Sequence, residues 1–192
     1  MKLFSLVLVF TVVSQAAKWE IDPAHSSATF TVSHMTISKV TGSVSGIKGS
    51  FDVPGKDFTK AMVEATLDSA TINTLNADRD KHLRSPDFLD AAKFPTIQFK
   101  AKSISKDGDK YKVVGDLTLH GVTKEVALSS ATLTDAIKGP EGKERRGFSG
   151  SASLDRKDFG MVFNKVLDNG GLAVGNTLDI QINLELVAAS KS

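Results

Sequence analysis

The chain has 192 residues, 41% of them hydrophobic, and a formal net charge of only +2. It contains no cysteine, which excludes disulfide bonds, thiol catalysis and iron–sulfur clusters. Its lysines and arginines are scattered and form no basic stripe, so the composition does not predict binding to nucleic acid.

The first sixteen residues predict a secretory signal peptide. Lys2 gives a positive start, the stretch from Leu3 to Val13 is almost wholly apolar, and residues 14–16 (Ser-Gln-Ala) supply the small side chains that precede a cleavage site. A membrane span needs about twenty apolar residues, which this stretch does not reach. We therefore expect residues 1–16 to be removed and residues 17–192 to form a single domain.

From Lys18 onward, apolar and polar residues alternate with a period of two, which predicts β-strands. The alternating segments are 27–32, 42–53, 62–68, 96–103, 110–120, 125–133, 147–154 and 177–187. Eight antiparallel strands close naturally into a barrel, because closure leaves no unpaired sheet edge. The sequence therefore predicts an all-β fold, an extended eight-stranded antiparallel barrel. The lumen of such a barrel holds either packed side chains or one slim ligand.

The last predicted strand shows which face of the sheet is buried. Its apolar residues are Leu178, Ile180, Ile182, Leu184 and Leu186, and charged or amide side chains lie between them. Water must meet the polar set, so the apolar set points into the barrel. The same argument places a further group inside: Val63, Leu67, Ile97, Phe99, Leu117, Leu119, Val126 and Leu128. The interior is thus predicted to be apolar, either as a packed core or as a tunnel.

A charged segment interrupts the strands between residues 72 and 99. Residues 76–85 predict a short helix, because Asn76 can cap it and acidic residues in its first turn suit the helix dipole. Residues 87–92 are a candidate for a second, and Pro86 and Pro95 limit both. We expect one or two short helices that cap the barrel.

This helical segment holds the best candidates for gripping an anionic head group: Arg79, Asp80, His82 and Arg84. Arginine suits phosphate because its guanidinium group is planar and permanently charged. The alternative is an ordinary solvated helix with ion pairs from Asp78 or Asp80 to Arg84. The residues alone leave both interpretations open.

The four histidines do not have the spacing of metal ligands, so no metal site is predicted. We expect His120, beside Gly121 in a hairpin turn, to make a structural hydrogen bond. His25, His34 and His82 are candidates to gather near one barrel mouth. The chain has no nucleophile elbow and no nucleotide-binding motif, and no catalytic residue is predicted.

Phenylalanine dominates the aromatic residues, with eleven against one tyrosine and one tryptophan. Its ring carries no hydrogen-bonding group, which suits a hydrocarbon tail and equally an ordinary core. The apolar residues predicted to contact a ligand are Phe30, Val63, Leu67, Leu83, Phe88, Phe94, Phe99, Leu117 and Leu119.

Five motifs occur in order along the chain: W-x-I-D-x-x-H-S (19–26), N-x-x-R-D-x-H-L (76–83), F-P-x-I-x-F (94–99), GDLTLHGVTK (115–124) and D-R-x-D-F-G (155–160). Together they resemble the YceI family of bacterial periplasmic proteins. The resemblance implies a lipocalin-like barrel with a helical lid, a hydrophobic tunnel for a polyisoprenoid-like lipid, a periplasmic location and no catalysis.

The predicted function is therefore that of a periplasmic carrier for a long-chain isoprenoid lipid, either a polyprenyl phosphate or an isoprenoid quinone. Arg79, His82 and His25 would meet its head group. Two alternatives stay open: a binder of a fatty acid or fatty amide, and a histidine-dependent envelope enzyme. The expected partners are the amphiphilic lipid and, transiently, a membrane surface, with no other cofactor. A monomer and a homodimer are equally compatible with the sequence.

Overall fold

The computed structural model describes residues 17–168 and 170–189, and the predicted signal peptide lies outside them. The described residues form ten strands, one α-helix and three 3-10 turns. The strands are β1 (Ala17–His34), β2 (Ser38–Val44), β3 (Lys48–Val53), β4 (Met62–Asp68), β5 (Thr96–Asp107), β6 (Lys110–Leu119), β7 (Val122–Leu133), β8 (Ile137–Lys138), β9 (Glu144–Asp155) and β10 (Val174–Ala188). The helix, α1, is Ala77–Leu83, and the 3-10 turns are Phe58–Lys60, Ser69–Thr71 and Arg156–Phe159.

Eight of these strands close into a barrel. Their order is β10-β1-β3-β4-β5-β6-β7-β9, and β9 pairs again with β10. All of these pairings are antiparallel. The other two strands lie off this path, β2 beside the second half of β1 and β8 beside the start of β9. The predicted eight-stranded antiparallel barrel is confirmed.

The connections between strands lie at two opposite ends of the barrel, because successive antiparallel strands reverse direction. We call one the helix end; it is formed by residues 35–37, 69–95, 120–121 and 156–173. The other, the opposite end, is formed by residues 54–61, 108–109 and 134–143. Segment 69–95 carries α1. The part of the chain that the structure describes contains no helix with the length and apolar character of a membrane span.

Two local predictions differ from the structure. Strand β1 is far longer than the predicted segment 27–32, with a register shift between Asp22 and Ser27 where it bulges. The candidate second helix over residues 87–92 is not formed, since the backbone there makes turns, so one of the one or two expected helices is present. The amides of Phe88 and Asp90 both donate to the Ser85 carbonyl, and Asp90 has a left-handed φ of 44°.

Apolar side chains in the barrel form two clusters. The first extends from the opposite end toward the middle and includes Phe51, Phe58, Val113 and Leu186, all at most 2% exposed. The second lies at the helix end and contains Ile72, Leu89, Leu119, Phe159 and Met161. The interior is therefore packed firmly at one end and joined to the capping segments at the other.

Gly49→Ala should destabilise the barrel by at least about 2 kcal/mol. Gly49 has φ +150°, and a Cβ there would lie 2.1 Å from the carbonyl oxygen of Glu64. Both atoms belong to the β3–β4 pairing, so the two strands would have to separate. Urea unfolding measures the effect. Gly150→Ala is the matched control, because its Cβ would lie at an ordinary 3.5 Å from the Ala131 Cβ; equal unfolding midpoints for the two variants would contradict this account.

Candidate functional site

An apolar channel runs inside the barrel. Its volume is about 160 Å³, and its accessible wall has no polar surface. Every strand of the barrel contributes to its lining. The residues are Ala28, Thr29, Phe30, Val44, Ile47, Phe51, Phe58, Val63, Ala65, Leu67, Ile97, Phe99, Val113, Leu117, Leu119, Val126, Leu128, Phe148, Ala152, Leu154, Leu178, Ile180, Ile182 and Leu184. Because this small volume is bordered by residues along the length of all eight strands, the channel is long and thin.

The prediction of which residues point inward is confirmed along the strands. The lining includes every inward residue predicted on β4 to β7 and four of the five on β10; the fifth, Leu186, is fully buried in the core. Six of the predicted ligand-contacting residues also line the channel. They are Phe30, Val63, Leu67, Phe99, Leu117 and Leu119. Leu83, Phe88 and Phe94 belong instead to the segments at the helix end.

An aromatic cluster closes the channel toward the opposite end. The Phe58 ring packs edge-on against Tyr111, with 5.0 Å between ring centroids, and Phe51 packs against Phe148 at 5.1 Å. Asp57 caps the 3-10 turn that carries Phe58, since its carboxylate accepts from the Thr59 amide. Toward the helix end, by contrast, several lining side chains stay partly exposed, namely Phe30, Ile97, Leu117 and Leu178. The lining is thus fully buried at the opposite end and less buried toward the helix end, which we call the open end of the channel.

Helix α1 is fastened beside the open end by a polar network around Thr74. The buried Asp80 carboxylate accepts hydrogen bonds from the Thr74 amide, at 2.8 Å, and from its hydroxyl. The Arg79 guanidinium donates to the Thr74 hydroxyl at 2.8 Å and to its carbonyl at 2.9 Å. Asn76 accepts from the Arg79 amide at 2.9 Å, which confirms the predicted cap. This hydrogen-bond network explains why the charged segment forms a helix outside the sheet and not another strand.

The two arginines of this segment donate hydrogen bonds to oxygens of Thr74 and Ile72, which differs from the predicted alternative of ion pairs within the helix. Arg84 donates to the Ile72 carbonyl at 3.2 Å, and among the described residues it forms no ion pair with Asp78 or Asp80. Arg79 is exposed, and its two bonds to Thr74 employ two of its five N–H groups. The remaining donors of Arg79 are available to an anion at the surface.

His82 joins α1 to the connection between β9 and β10. Its Nε2 lies 2.8 Å from the Asp87 carboxylate, and its ring packs edge-on against Phe88 and Phe163 at 5.0 and 4.8 Å. Phe88 is buried, while the His82 side chain keeps 44% exposure. His82 therefore lies in the same segment as Arg79 and remains accessible to a ligand.

His25 lies elsewhere, so the predicted gathering of His25, His34 and His82 is wrong for His25. Its Nδ1 lies 2.9 Å from Asp22 in the bulge of β1, and Arg145, at the start of β9, donates to Asp22 at 3.0 Å and to Glu185. The hydrogen bond with His25 lowers the pKa of Asp22 to about 2, helped by Arg145 and opposed by burial, and Asp22 in turn raises the pKa of His25. His34, exposed at the end of β1, does lie at the helix end.

Asp22, His25 and Glu185 present three potential metal-ligand atoms within 4.8 Å of one another. The Arg145 guanidinium donates to both carboxylates. A cation that balances their charge is thus already built into the chain, and the group holds β1, β9 and β10 together on the outer wall.

His120 has the structural role predicted for it. Its Nδ1 lies 2.9 Å from the Phe159 carbonyl oxygen, and its ring packs against Phe94 at 5.1 Å. Phe94 in turn covers Gly121, where a Cβ would lie 2.4 Å from the ring. These contacts tie the β6–β7 turn to the 3-10 turn that follows β9.

Arg156 is the residue whose role the sequence did not indicate. It stands in the D-R-x-D-F-G motif among charged residues, yet it is 2% exposed. Its guanidinium donates to the Gly175 carbonyl at 2.9 Å, to the Met161 carbonyl and, at 3.4 Å, to the Asn176 side chain. Burial lowers its pKa. Arg156 thus ties the first part of the connection from β9 to β10 to the start of β10, through backbone oxygens of both.

Comparison with known proteins places these features in a family context. A family model described as a YceI-like domain matches residues 19–186. The chain is 38% identical over 146 residues to protein YceI of Escherichia coli O157:H7, covering 75% of this chain and 76% of the relative. It is similar to the solved Campylobacter jejuni YceI protein, with a TM-score of 0.63, 27% identity and full coverage of both chains. A polyisoprenoid binding domain from Saccharophagus degradans shares the fold, with a TM-score of 0.59 and 14% identity over 89% of this chain and 98% of that one.

Proposed function

The chain belongs to the YceI-like domain family, and on that premise we propose that it is an exported carrier which binds the tail of a long-chain isoprenoid lipid inside its barrel. The carrier would work in the periplasm after removal of residues 1–16. The observation that carries this proposal is the thin apolar channel, closed at one end by aromatic rings.

The channel suits a hydrocarbon chain on physical grounds. Its wall offers no hydrogen-bonding group to a sugar, a nucleotide or a peptide, and burying such polar groups without partners is costly. Each methylene buried there stabilises the complex by about 0.8 kcal/mol. A structure similar in fold is described as a polyisoprenoid binding domain, which supports an isoprenoid as the chain.

The volume of the channel also bears on how a lipid would bind. A cavity of about 150 Å³ accommodates a molecule the size of benzene, so a channel of about 160 Å³ must widen for a long chain. The lining side chains near the helix end, such as Phe30 and Leu117, are only partly buried, so we expect the channel to widen there. We expect the tail to enter from the helix end and to stop at the aromatic cluster.

The head group would then remain at the helix end, beside α1. Arg79 offers its remaining N–H donors there, and His82 lies within the same helix and stays accessible. A phosphate group matches the guanidinium donors best. Our proposed ligand is therefore a polyprenyl phosphate, and an isoprenoid quinone is the neutral alternative.

Arg79→Ala should weaken binding of a polyprenyl phosphate about tenfold, by loss of a charge-assisted contact, and change binding of the uncharged polyprenol little. Calorimetric titration of both lipids in detergent measures this. Lys81→Ala is the control, since Lys81 is exposed on the same helix. Equal losses for both lipids would assign Arg79 to the Thr74 network alone. Wild-type protein that binds neither lipid, or that prefers a linear fatty acid, would contradict the proposed function.

A further inference from the structure

Large apolar side chains are exposed mainly at the helix end. Among the described residues, the exposed large hydrophobic side chains are Ile37, Leu75, Val162 and Val166 in the helix-end segments, and Met62 and Ile137 near the opposite end. Ile37 is 81% exposed and Val166 is 74% exposed. Scattered exposed apolar residues need no explanation, but this set concentrates around the open end of an apolar channel.

Val162 is exposed on a loop whose position is fixed by the contacts of the residues on either side of it. Met161 before it is buried, and Phe163 after it packs against the rings of His82 and Phe88. Because its neighbours on both sides point inward, Val162 points into solvent. Further along, Val166 forms a β-bridge with Leu172. The side chains of Val162 and Val166 are therefore presented by anchored backbone.

The tip of the β1–β2 turn is tied to the same connection. The Met35 amide donates to the Ala173 carbonyl at 2.9 Å, and the Ala173 amide donates to the Lys165 carbonyl at 2.9 Å. Ile37 at this tip thus belongs to a segment joined directly to the one that carries Val166. Leu75 lies farther from the helix end, on the side of the barrel, since Asn73, two residues before it, pairs with Ser43 near the C-terminal end of β2.

Two lysines accompany the exposed apolar tips. Lys39 follows Ile37 by two residues, and Lys165 directly precedes Val166. Both are exposed, and neither forms an ion pair with another described residue. Apolar side chains flanked by lysine are the composition that binds the surface of an anionic bilayer, where the apolar groups enter the interface and the ammonium groups meet lipid phosphates.

We propose that the helix end is a docking surface for an anionic lipid bilayer, with Ile37, Val162 and Val166 entering the interface and Lys39 and Lys165 contacting the head groups. This inference rests on the proposed function and extends it to the route of loading. Docking in this orientation sets the open end of the channel against the membrane, so that a lipid tail passes between bilayer and barrel without crossing water.

The experiment is co-sedimentation with vesicles of phosphatidylcholine, with and without phosphatidylglycerol, at low and high salt. We expect wild type to bind the anionic vesicles. The variant Ile37→Ser/Val162→Ser/Val166→Ser should lose at least about tenfold in this binding. The control Met62→Ser/Ile137→Ser removes two exposed apolar residues near the opposite end and should bind as wild type does. Lys39→Gln/Lys165→Gln should lose roughly fivefold for each lysine, on anionic vesicles only.

Titration of a prenyl lipid supplied in detergent separates this inference from the proposed function. The Ile37/Val162/Val166 variant should bind detergent-delivered lipid as wild type does, because none of these residues lines the channel. Wild type that fails to sediment with anionic vesicles, or an equal loss in the Met62/Ile137 control, would overturn the docking surface. Either result would leave lipid binding in detergent unaffected, whereas failure of lipid binding itself would show in the detergent titration.

Discussion

Ala65→Phe is expected to lower the affinity for a prenyl lipid at least about tenfold while leaving the protein folded. Ala65 lies on β4 between Val63 and Leu67, lines the channel and remains partly exposed, so there is open space in front of its methyl group. A phenyl ring would occupy that space in the middle of the path of the tail. Excluding only two methylenes from the channel removes about 1.6 kcal/mol, which is already more than tenfold.

The matched control is Ala127→Phe. Ala127 lies on β7 between two channel residues, Val126 and Leu128, and is exposed, so its side chain points away from the channel. Lipid titration and urea unfolding should both be run. Overpacking in a dense core costs about 1–3 kcal/mol, and the open channel places Ala65→Phe at the low end. A folded Ala65→Phe protein with wild-type affinity would show that the ligand does not occupy the channel.

Arg156→Ala is expected to lower the free energy of unfolding by about 3 kcal/mol. The guanidinium is buried and donates to the carbonyl of Met161, in the β9–β10 connection, and to that of Gly175, at the start of β10. Its removal leaves those oxygens without their donor and opens a space beneath the connection. We expect residues 161–175 to show increased hydrogen exchange before the barrel strands do.

Two comparisons test this role. Lys157→Ala, the exposed neighbour in the same 3-10 turn, should change stability by less than about 0.5 kcal/mol. Arg156→Lys should not restore the loss, because a single ammonium cannot span acceptors that a planar guanidinium reaches together. Wild-type stability of Arg156→Ala, or full rescue by lysine, would contradict the assignment.

The barrel was predictable because strand alternation is a local property of the sequence. On β10 the apolar face appears as every second residue, and the structure turns that face inward. The same alternation fails at Asp22–Ser27, where polar residues and a proline form a bulge, and the first half of β1 was missed for that reason. The capping role of Asn76 was also local, and it was found.

The interior surface of the channel was only partly predictable. Residues such as Leu117 and Ile180 follow from alternation, whereas Phe58 reaches the interior from a turn outside the strands. Nothing periodic marks such a residue. Its partner Phe148 did lie in a predicted strand and alternates with small residues, so a search for aromatic residues facing one another across the barrel could have found it.

The polar groups were the least predictable, because their roles depend on contacts between distant segments. Arg156 is buried and donates hydrogen bonds to residues that lie 5 to 20 positions away in the chain. No sequence pattern shows such contacts. His25 was expected near His82 and instead pairs with Asp22 close to Arg145, a residue 123 positions away from Asp22. Whether Arg79 contacts ligand remains a prediction, and its bonds to Thr74 show only where it is held.

The central claim is that the channel holds an isoprenoid tail, and native mass spectrometry of the full chain expressed with export to the periplasm tests it most directly. The protein should retain a lipid after purification, and solvent extraction should release masses that differ by one isoprene unit. Release of linear acyl chains alone would contradict the isoprenoid ligand. Protein that carries no lipid and takes none up from added polyprenyl phosphate would contradict the carrier function.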